Sequence, residues 1–142
     1  MTTIALASNA DEIRRCFPVM AELRPHLTET AFVAQVQRQQ QGGGYQLAFL
    51  EADGLVRAVA GYRFLECLMW GRFLYVDDLV TISTRRSEGH GHRLFAWLVA
   101  QARAADCDQL HLDSGVQRFA AHRFYLRERL EITCHHFALK LK

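Results

Sequence analysis

Residues 75–98 read YVDDLVTISTRRSEGHGHRLFAWL, and this stretch decides the fold prediction. It begins as an apolar, β-branched run, passes through a polar turn and continues with the apolar spacing of an amphipathic helix. Arg86, Gly89 and Gly91 stand at the joint with the spacing R-x-x-G-x-G. The two glycines let the backbone turn tightly and approach a ligand without an intervening Cβ. The first turn of the helix offers free N–H groups and the positive end of the helix dipole, so the stretch predicts a cradle for a phosphate-type anion.

This short glycine pattern has other interpretations. A tight strand-to-helix turn whose glycines only ease packing explains the residues about as well. A dinucleotide fingerprint requires G-x-G-x-x-G with an acidic residue about 20 positions later, and the glycines here come in another order. A P-loop requires Gly-Lys-Ser/Thr, whereas His92 and Arg93 follow Gly91. Neither nucleotide motif fits, and the anion cradle and the packing turn both stay open on the residues alone.

The glycine joint resembles the acetyl-CoA-binding motif of the GCN5-related N-acetyltransferases, Gln/Arg-x-x-Gly-x-Gly/Ala after a strand. The sequence AHRFY at residues 121–125 resembles the family's A-x-x-F-Y near the C-terminus. The likeness covers residues 75–141 and, by the order of elements only, the first half. It implies acetyl-CoA as co-substrate, with the strand edge at residues 79–81 offering backbone groups to the pantetheine arm. The residues it assigns to the cofactor are Leu79, Val80, Thr81, Arg86, Ser87, Glu88, Gly89, His90, Gly91, His92 and Arg118. The family often has asparagine where Arg118 stands, and arginine there could reach a phosphate or an acidic acceptor.

The order of elements predicts an α/β (α+β) fold, a mixed sheet with helices on both faces. Predicted strands cover residues 2–7, 45–51, 55–67, 72–82, 109–113 and 132–141, with an Asp53-Gly54 hairpin turn. The first predicted helix starts near Ser8 and ends by Pro25, and three more cover about residues 28–41, 89–105 and 119–129. A flexible break is predicted at residues 42–44. The family resemblance adds that the sheet is twisted and mostly antiparallel, and that the strands flanking the glycine helix form a splayed parallel pair.

Composition sets further limits. With 142 residues, half of them hydrophobic, the chain suits one globular domain over residues 1–142. A net charge of +2 gives no argument for nucleic acid, and no long apolar run predicts a membrane span. The four cysteines form no CxxC pair, so no zinc or redox motif is predicted. We expect a protein of a reducing compartment. The N-terminus lacks the pattern of a secretory signal, so we expect a cytoplasmic protein.

Three residues are candidates for catalysis. Tyr125 is the candidate acid: a phenol with pKa near 10 can protonate a departing thiolate, and the resemblance places the family's tyrosine near the cofactor sulfur. Packing of the helix on the core is the alternative role for this side chain. Asp77 and Asp78 lie in mid-strand, where carboxylates are unfavourable unless exposed or useful. Either could act as base or hold a cationic substrate while water relays the proton. The alternative for both is a carboxylate on a solvent-exposed strand face without a role in catalysis.

The strand pleat bears on which of these side chains meet. In a regular strand Asp77 shares a side with Tyr75, Leu79 and Thr81 and Asp78 faces the other way, unless a bulge changes the parity. In several relatives an acid at the position of Tyr75 acts as base; tyrosine there makes Tyr75 a substrate-binding candidate instead.

The strand at residues 109–113 ends at the same edge as the glycine turn. Asp113 and Ser114 therefore become candidates for contact with the acceptor or cofactor, or simply turn the chain. His135 and His136 point to opposite faces of the predicted strand, so a metal site is not predicted. The sequence contains no G-x-S-x-G elbow, so a Ser-His-Asp hydrolase is not predicted.

The resulting hypothesis is an N-acetyltransferase that moves an acetyl group from acetyl-CoA directly to a primary amine. The tail AHRFYLRERLEITCHHFALKL resembles relatives acting on small amines, which favours a small-molecule acceptor. A non-catalytic acyl-CoA sensor and a protein or peptide N-acetyltransferase are the alternatives. A homodimer is possible because dimers are common in the family.

Overall fold

The computed structural model describes residues 1–142, apart from the side chains of residues 85–87. In these described residues the strands are β1 (Thr2–Leu6), β2 (Gln46–Ala52), β3 (Leu55–Cys67), β4 (Gly71–Thr81) and β5 (Gln109–Leu112). The α-helices are α1 (Ala10–Leu23), α2 (Glu29–Gly43), α3 (His90–Ala104) and α4 (Phe119–Arg127), and a 3₁₀ helix covers Ser83–Glu88. The chain forms two compact units, residues 1–111 and residues 112–142. The prediction of one domain over the whole chain stays a prediction.

The strands form one sheet in the order β1-β2-β3-β4-β5. The pairs β1–β2, β2–β3 and β3–β4 are antiparallel, whereas β4 and β5 are parallel neighbours. A connection through α3 separates the two parallel strands, as parallel pairing requires. The prediction of a mixed, mostly antiparallel α/β fold is therefore confirmed.

Helices cover both faces of the sheet. On one face, α1 and α2 bury Ile13, Met20 and Phe32 against alternate residues of β2, β3 and β4. On the other face α3 buries Leu94 and Leu98, and the ring of Trp97 meets that of Tyr62 edge-on at 6.0 Å. Because side chains alternate across a strand, each central strand supplies both layers.

The helix starts follow from capping residues. The Asn9 side chain accepts a hydrogen bond of 2.9 Å from the Glu12 N–H, and the Glu12 carboxylate accepts one of 2.7 Å from the Ser8 N–H. Thr28 accepts from the Ala31 N–H at 3.2 Å and so begins α2. Each cap pairs an N–H that the first helical turn leaves unsatisfied.

Two predictions about the backbone are wrong. The glycines at 42 and 43 do not break the chain, because α2 continues through them and ends at Gly44, whose left-handed conformation (φ 69°) is the usual helix stop. The strand predicted for residues 132–141 is absent, and Phe137 is 91% exposed. Alternating apolar residues form a strand only where a neighbouring strand pairs with their backbone, and residues 112–142 supply no such partner to one another.

Among the described residues, no helix is both long and apolar enough to cross a bilayer.

Candidate functional site

The glycine joint has the predicted strand–turn–helix geometry. β4 ends at Thr81, the 3₁₀ helix follows, and Gly89 adopts a left-handed conformation (φ 79°) immediately before α3 begins at His90. A Cβ built on Gly89 would meet nothing within 4 Å, so the space beside the turn is open. No side chain of the described residues caps α3. The positive end of the α3 dipole therefore lies at this turn and favours an anion there.

Side chains of the turn are arranged around His90. Its ring is buried, and Nε2 lies 3.1 Å from Glu88 Oε2 across Gly89. His92 is exposed on the first turn of α3. The side chains of Arg86 and Ser87, both predicted to bind the cofactor, lie outside the described residues.

A β-bulge at Asp77 changes the predicted strand parity. Across β3 and β4, Gly61 pairs with Asp78 but Tyr62 pairs with Val76, so Asp77 has no residue opposite. Asp78 consequently lies on the sheet face of Val80, which packs in the core under α1 and α2. The regular-strand expectation, with Asp78 turned away from the side of Tyr75, is wrong because the extra residue shifts the alternation by one.

Asp77 is bound by an arginine of the neighbouring strand. Arg63 donates two hydrogen bonds of 2.8 Å, from Nε to Oδ2 and from Nη2 to Oδ1. The same guanidinium lies over the ring of Tyr75, 5.4 Å from its centroid. These hydrogen bonds to Asp77 raise the pKa of Arg63 above its ordinary value. The bidentate pair fixes the Asp77 carboxylate next to the bulge.

Asp78 is held by donors from two distant segments. Tyr45 Oη donates to Oδ2 at 2.8 Å, and Arg24 Nε donates to Oδ1 at 2.9 Å. Burial, and then the Asp78 charge, raise the pKa of Tyr45 well above 10, so the phenol stays protonated and keeps donating. Arg24 Nη2 also donates to the carbonyl of Asp77 at 3.0 Å. The segment between α1 and α2 is thereby attached to the bulge.

Gly61 makes this arrangement possible. A Cβ at this position would fall on the hydroxyl and ring of Tyr45 and 2.6 Å from Asp78 Oδ2. Real Cβ atoms do not approach other atoms so closely. The absence of a side chain on β3 therefore provides the space in which Tyr45 meets Asp78.

A cavity of about 310 Å³ opens beside this network. It is lined by the apolar side chains of α1 and α2, by polar groups of the connecting segment, and by two members of the network: Met20, Arg24, His26, Leu27, Phe32, Gln35, Val36, Gln39, Tyr45 and Asp78. Its size falls at the lower end of small-molecule sites. Asp78, a candidate catalytic residue, thus lines this cavity together with residues of α1 and α2.

The unit formed by residues 112–142 carries the other candidates. Tyr125 lies on α4, where burial raises its pKa above 10, while Arg118, hydrogen-bonded to the phenol at the start of that helix, acts in the opposite direction. His136 Nδ1 lies 3.4 Å from Asp113 Oδ1. Ser114 Oγ is buried and has no hydrogen-bond partner among the described residues. Tyr125 and Arg118, predicted separately as acid and cofactor ligand, are therefore direct partners.

Sequence reasoning missed Arg24, Tyr45, Gly61 and Arg63. Arg24 lies 54 positions from Asp78 and Tyr45 lies 33, and neither belongs to a motif. Alternation along β3 places Gly61 and Arg63 on one face. Only the strand register shows which residues of β4 they meet.

No group of three or more histidine, cysteine or acidic side chains in the described part of the chain could hold a metal ion. Among the cysteines, Cys16 is buried in the α1 core, and burial raises the pKa of its thiol to about 12, which makes it a poor nucleophile.

Comparison with known proteins adds an independent line of evidence. Residues 6–129 match the family model for the acetyltransferase (GNAT) family. An uncharacterized N-acetyltransferase of Bacillus subtilis, YhdJ, is 32% identical over 118 residues, which is 83% of each chain. An aminoalkylphosphonate N-acetyltransferase of Salmonella typhimurium is 38% identical over 53 residues, covering 37% of this chain and 34% of the relative.

Solved structures share the fold. An aminoglycoside N-acetyltransferase in complex with CoA superposes with a TM-score of 0.87 at 13% identity, over 99% of this chain and 94% of the other. Glucosamine-6-phosphate N-acetyltransferase from Arabidopsis thaliana gives a TM-score of 0.79 at 15% identity, over 100% and 99%. The family match over residues 6–129 and the likeness to the Bacillus protein establish that the chain belongs to the GNAT family of acetyltransferases.

Proposed function

We propose that this protein transfers an acetyl group from acetyl-CoA to the primary amine of a small molecule. The observation that carries the proposal is the uncapped start of α3 behind Gly89, directly after the strand edge of β4. A pyrophosphate is the kind of anion that such a helix start binds. Membership of the GNAT family and the CoA complex of a structural neighbour support acetyl-CoA as its source.

The proposed cofactor contacts come from two adjacent features. The backbone of Leu79, Val80 and Thr81 would pair with the amides of the pantetheine arm. The pyrophosphate would be bound by the residues of the turn and of the first turn of α3, which are Arg86, Ser87, Glu88, Gly89, His90, Gly91 and His92. Arg118 is a further proposed contact, and it also supports Tyr125 by its hydrogen bond.

The transfer itself proceeds through attack, bond breaking and proton transfer. The neutral amine nitrogen attacks the thioester carbonyl, the carbon–sulfur bond breaks, and the thiolate takes a proton. Tyr125 is the proposed donor of that proton, because a phenol is protonated at neutral pH. The proton of the ammonium leaves through Asp77 or Asp78, or through water held by them. Hydrogen bonds from Arg63, Arg24 and Tyr45 hold these carboxylates in fixed positions.

The acceptor is proposed to be small. The cavity beside Asp78 has a volume of about 310 Å³, which suits a short molecule better than a peptide. The Salmonella relative is named for action on aminoalkylphosphonates, which are small amines. Tyr75, Asp113 and Ser114 are proposed acceptor contacts, and the unpartnered Ser114 hydroxyl supports that role for Ser114.

Calorimetric titration with acetyl-CoA, and in parallel with CoA, tests the cofactor. We expect saturable binding of both, followed by thiol release when a suitable amine is added. Binding without thiol release from any amine in a broad panel would favour an acyl-CoA sensor. Absence of binding to the folded protein would refute the proposed function.

A further inference from the structure

The cavity beside Asp78 is lined by one carboxylate, that of Asp78, and this carboxylate is already paired with Arg24 and Tyr45. The Asp78 side chain is 14% exposed. Oδ2 accepts from Tyr45 at 2.8 Å, and Oδ1 lies 2.9 Å from both Nε and Nη2 of Arg24. A second cation would have to compete with the Arg24 guanidinium for this carboxylate. The cavity is therefore not built as an open anionic site.

Its unused polar groups are mostly hydrogen-bond donors. Arg24 engages Nε and Nη2, and its Nη1 has no protein partner among the described residues, while the side chain is 40% exposed. His26 also lines the cavity and is exposed. Gln39 accepts from Gln35 through Oε1, which leaves its amide N–H groups without a partner in the described part of the chain. A guanidinium with a free nitrogen next to further donors is suited to an oxyanion.

The remaining wall is apolar. Leu27, Phe32 and Val36 also line the cavity. Such apolar side chains accommodate a short carbon chain. The cavity volume of about 310 Å³ has room for that chain and two polar ends.

We infer that the acceptor amine carries an anionic oxyacid group, a carboxylate, phosphonate or phosphate, and that Arg24 binds this group with His26 and Gln39. The inference rests on the proposed function, because it identifies the substrate class of the same acceptor site. Arg24 then has two roles: one edge of its guanidinium fixes Asp78, and the other recognises the acceptor. Recognition of the anion by Arg24 then favours such amines over amines without an anion.

Matched amines test this selection in the wild-type protein. Thiol release from acetyl-CoA would be measured with β-alanine against β-alaninamide, and with 2-aminoethylphosphonate and phosphoethanolamine against ethanolamine. We expect kcat/KM to be about ten- to a hundredfold higher for the anionic member of each pair, the factor that a charge-assisted hydrogen bond supplies. The ranking of the three anionic amines separates carboxylate, phosphonate and phosphate.

Variants of Arg24 test the residue. Arg24→Gln should remove the preference: kcat/KM should fall about ten- to a hundredfold more for the anionic amines than for the neutral ones, which lose only the support that Arg24 gives to Asp78. Arg24→Lys should recover part of the preference, because it restores the charge without the planar fork. Arg38→Gln is the matched control: Arg38 is exposed on α2 and lies outside the cavity lining, and the substitution makes the same change in net charge.

Binding without turnover provides a second measurement. 2-Aminoethylphosphonate should raise the Tm of the wild-type protein and of Arg38→Gln, and should not raise that of Arg24→Gln. Equal use of neutral and anionic amines would overturn the inference, as would an equal loss for both in Arg24→Gln. Turnover of neutral amines with no turnover of any anionic amine would also overturn it. Failure of the proposed function has a different signature: either acetyl-CoA does not bind, or it binds and no amine, neutral or anionic, is acetylated.

Discussion

Replacing Gly61 by alanine should damage both stability and amine use, although it adds only one methyl group. Gly61 lies on β3 opposite Asp78, and its missing Cβ is the space where the Tyr45 hydroxyl meets that carboxylate. Tyr45 is 4% exposed and packs in the core under α1 and α2, so its ring has little freedom to move aside. The new methyl group must displace the phenol, the carboxylate or the strand.

The expected cost follows from these contacts. Overpacking a well-filled core costs about 1–3 kcal/mol. Loss of the hydrogen bond from Tyr45 to a charged carboxylate costs a further ~1.5–3 kcal/mol if it breaks completely. The two terms involve the same atoms and do not add fully, and alanine recovers roughly 0.4–1 kcal/mol through the unfolded chain. We therefore expect the free energy of unfolding to fall by about 2–4 kcal/mol, a Tm decrease of roughly 5–15 °C.

Thermal and urea unfolding would measure the stability loss, and thiol release with a responsive amine would measure the activity. Gly43→Ala is the matched control, because a Cβ on Gly43 meets nothing within 4 Å and the residue ends a helix. That change should leave Tm equal or slightly higher. In a Tyr45→Phe background, the cost of Gly61→Ala should become smaller, since the hydroxyl that the methyl group displaces is gone.

One result would refute the reasoning. If Gly61→Ala behaves like Gly43→Ala, with Tm within about 2 °C of wild type and amine turnover unchanged, then Tyr45 does not occupy the space beside Gly61. A cost in the Tyr45→Phe background equal to that in wild type would also count against the hydroxyl as the atom displaced.

Three other substitutions have expected outcomes. Gly89→Glu should abolish acetyl-CoA binding by adding bulk and negative charge at a left-handed position (φ 79°), and unchanged affinity of this variant by calorimetry would exclude the cradle. Gly89→Ala adds the backbone strain without the charge and so separates the two effects. Tyr125→Phe should lower turnover more than acetyl-CoA affinity, and a fully active variant would remove Tyr125 as the acid. Because burial raises the pKa of Tyr125, the stability it contributes is complete below about pH 10 and is lost as pH rises through the raised pKa. Alkaline unfolding should therefore show a smaller loss in Tyr125→Phe than in wild type, while Tyr45, whose pKa is also raised, contributes to the loss in both. Asp77→Asn should weaken amine use because it removes the charge that Arg63 binds; a change confined to Tm would make the residue structural.

Local patterns in the sequence predicted most of the elements. The cap at Asn9, the Asp53-Gly54 turn and the glycine joint each act within a few residues, and α1, the β2–β3 hairpin and α3 lie where these signals place them. The strand predicted near the C-terminus failed for the converse reason. Apolar alternation there is a local signal, whereas a strand needs a pairing partner.

The candidate site divides in the same way. The joint proposed to bind acetyl-CoA was predictable because the glycines, the strand end and the helix start are neighbours in sequence, and their geometry follows from local backbone preferences. The cavity proposed for the acceptor was not predictable. Its carboxylate is held by Arg24 and Tyr45, and only packing of α1 and α2 on the sheet brings these residues to Asp78.

By itself, the sequence determined most of the segments that become strands and helices, where the glycine turn falls, and that the chain resembles an acetyltransferase. The tertiary structure decided that a bulge at Asp77 turns Asp78 towards α1 and α2, that Gly61 makes room for its partner, and that arginines bind both carboxylates. The physical reason is the range of the forces involved. Backbone sterics and capping act between near neighbours, whereas register, burial and ion pairing depend on residues that only the folded chain brings together.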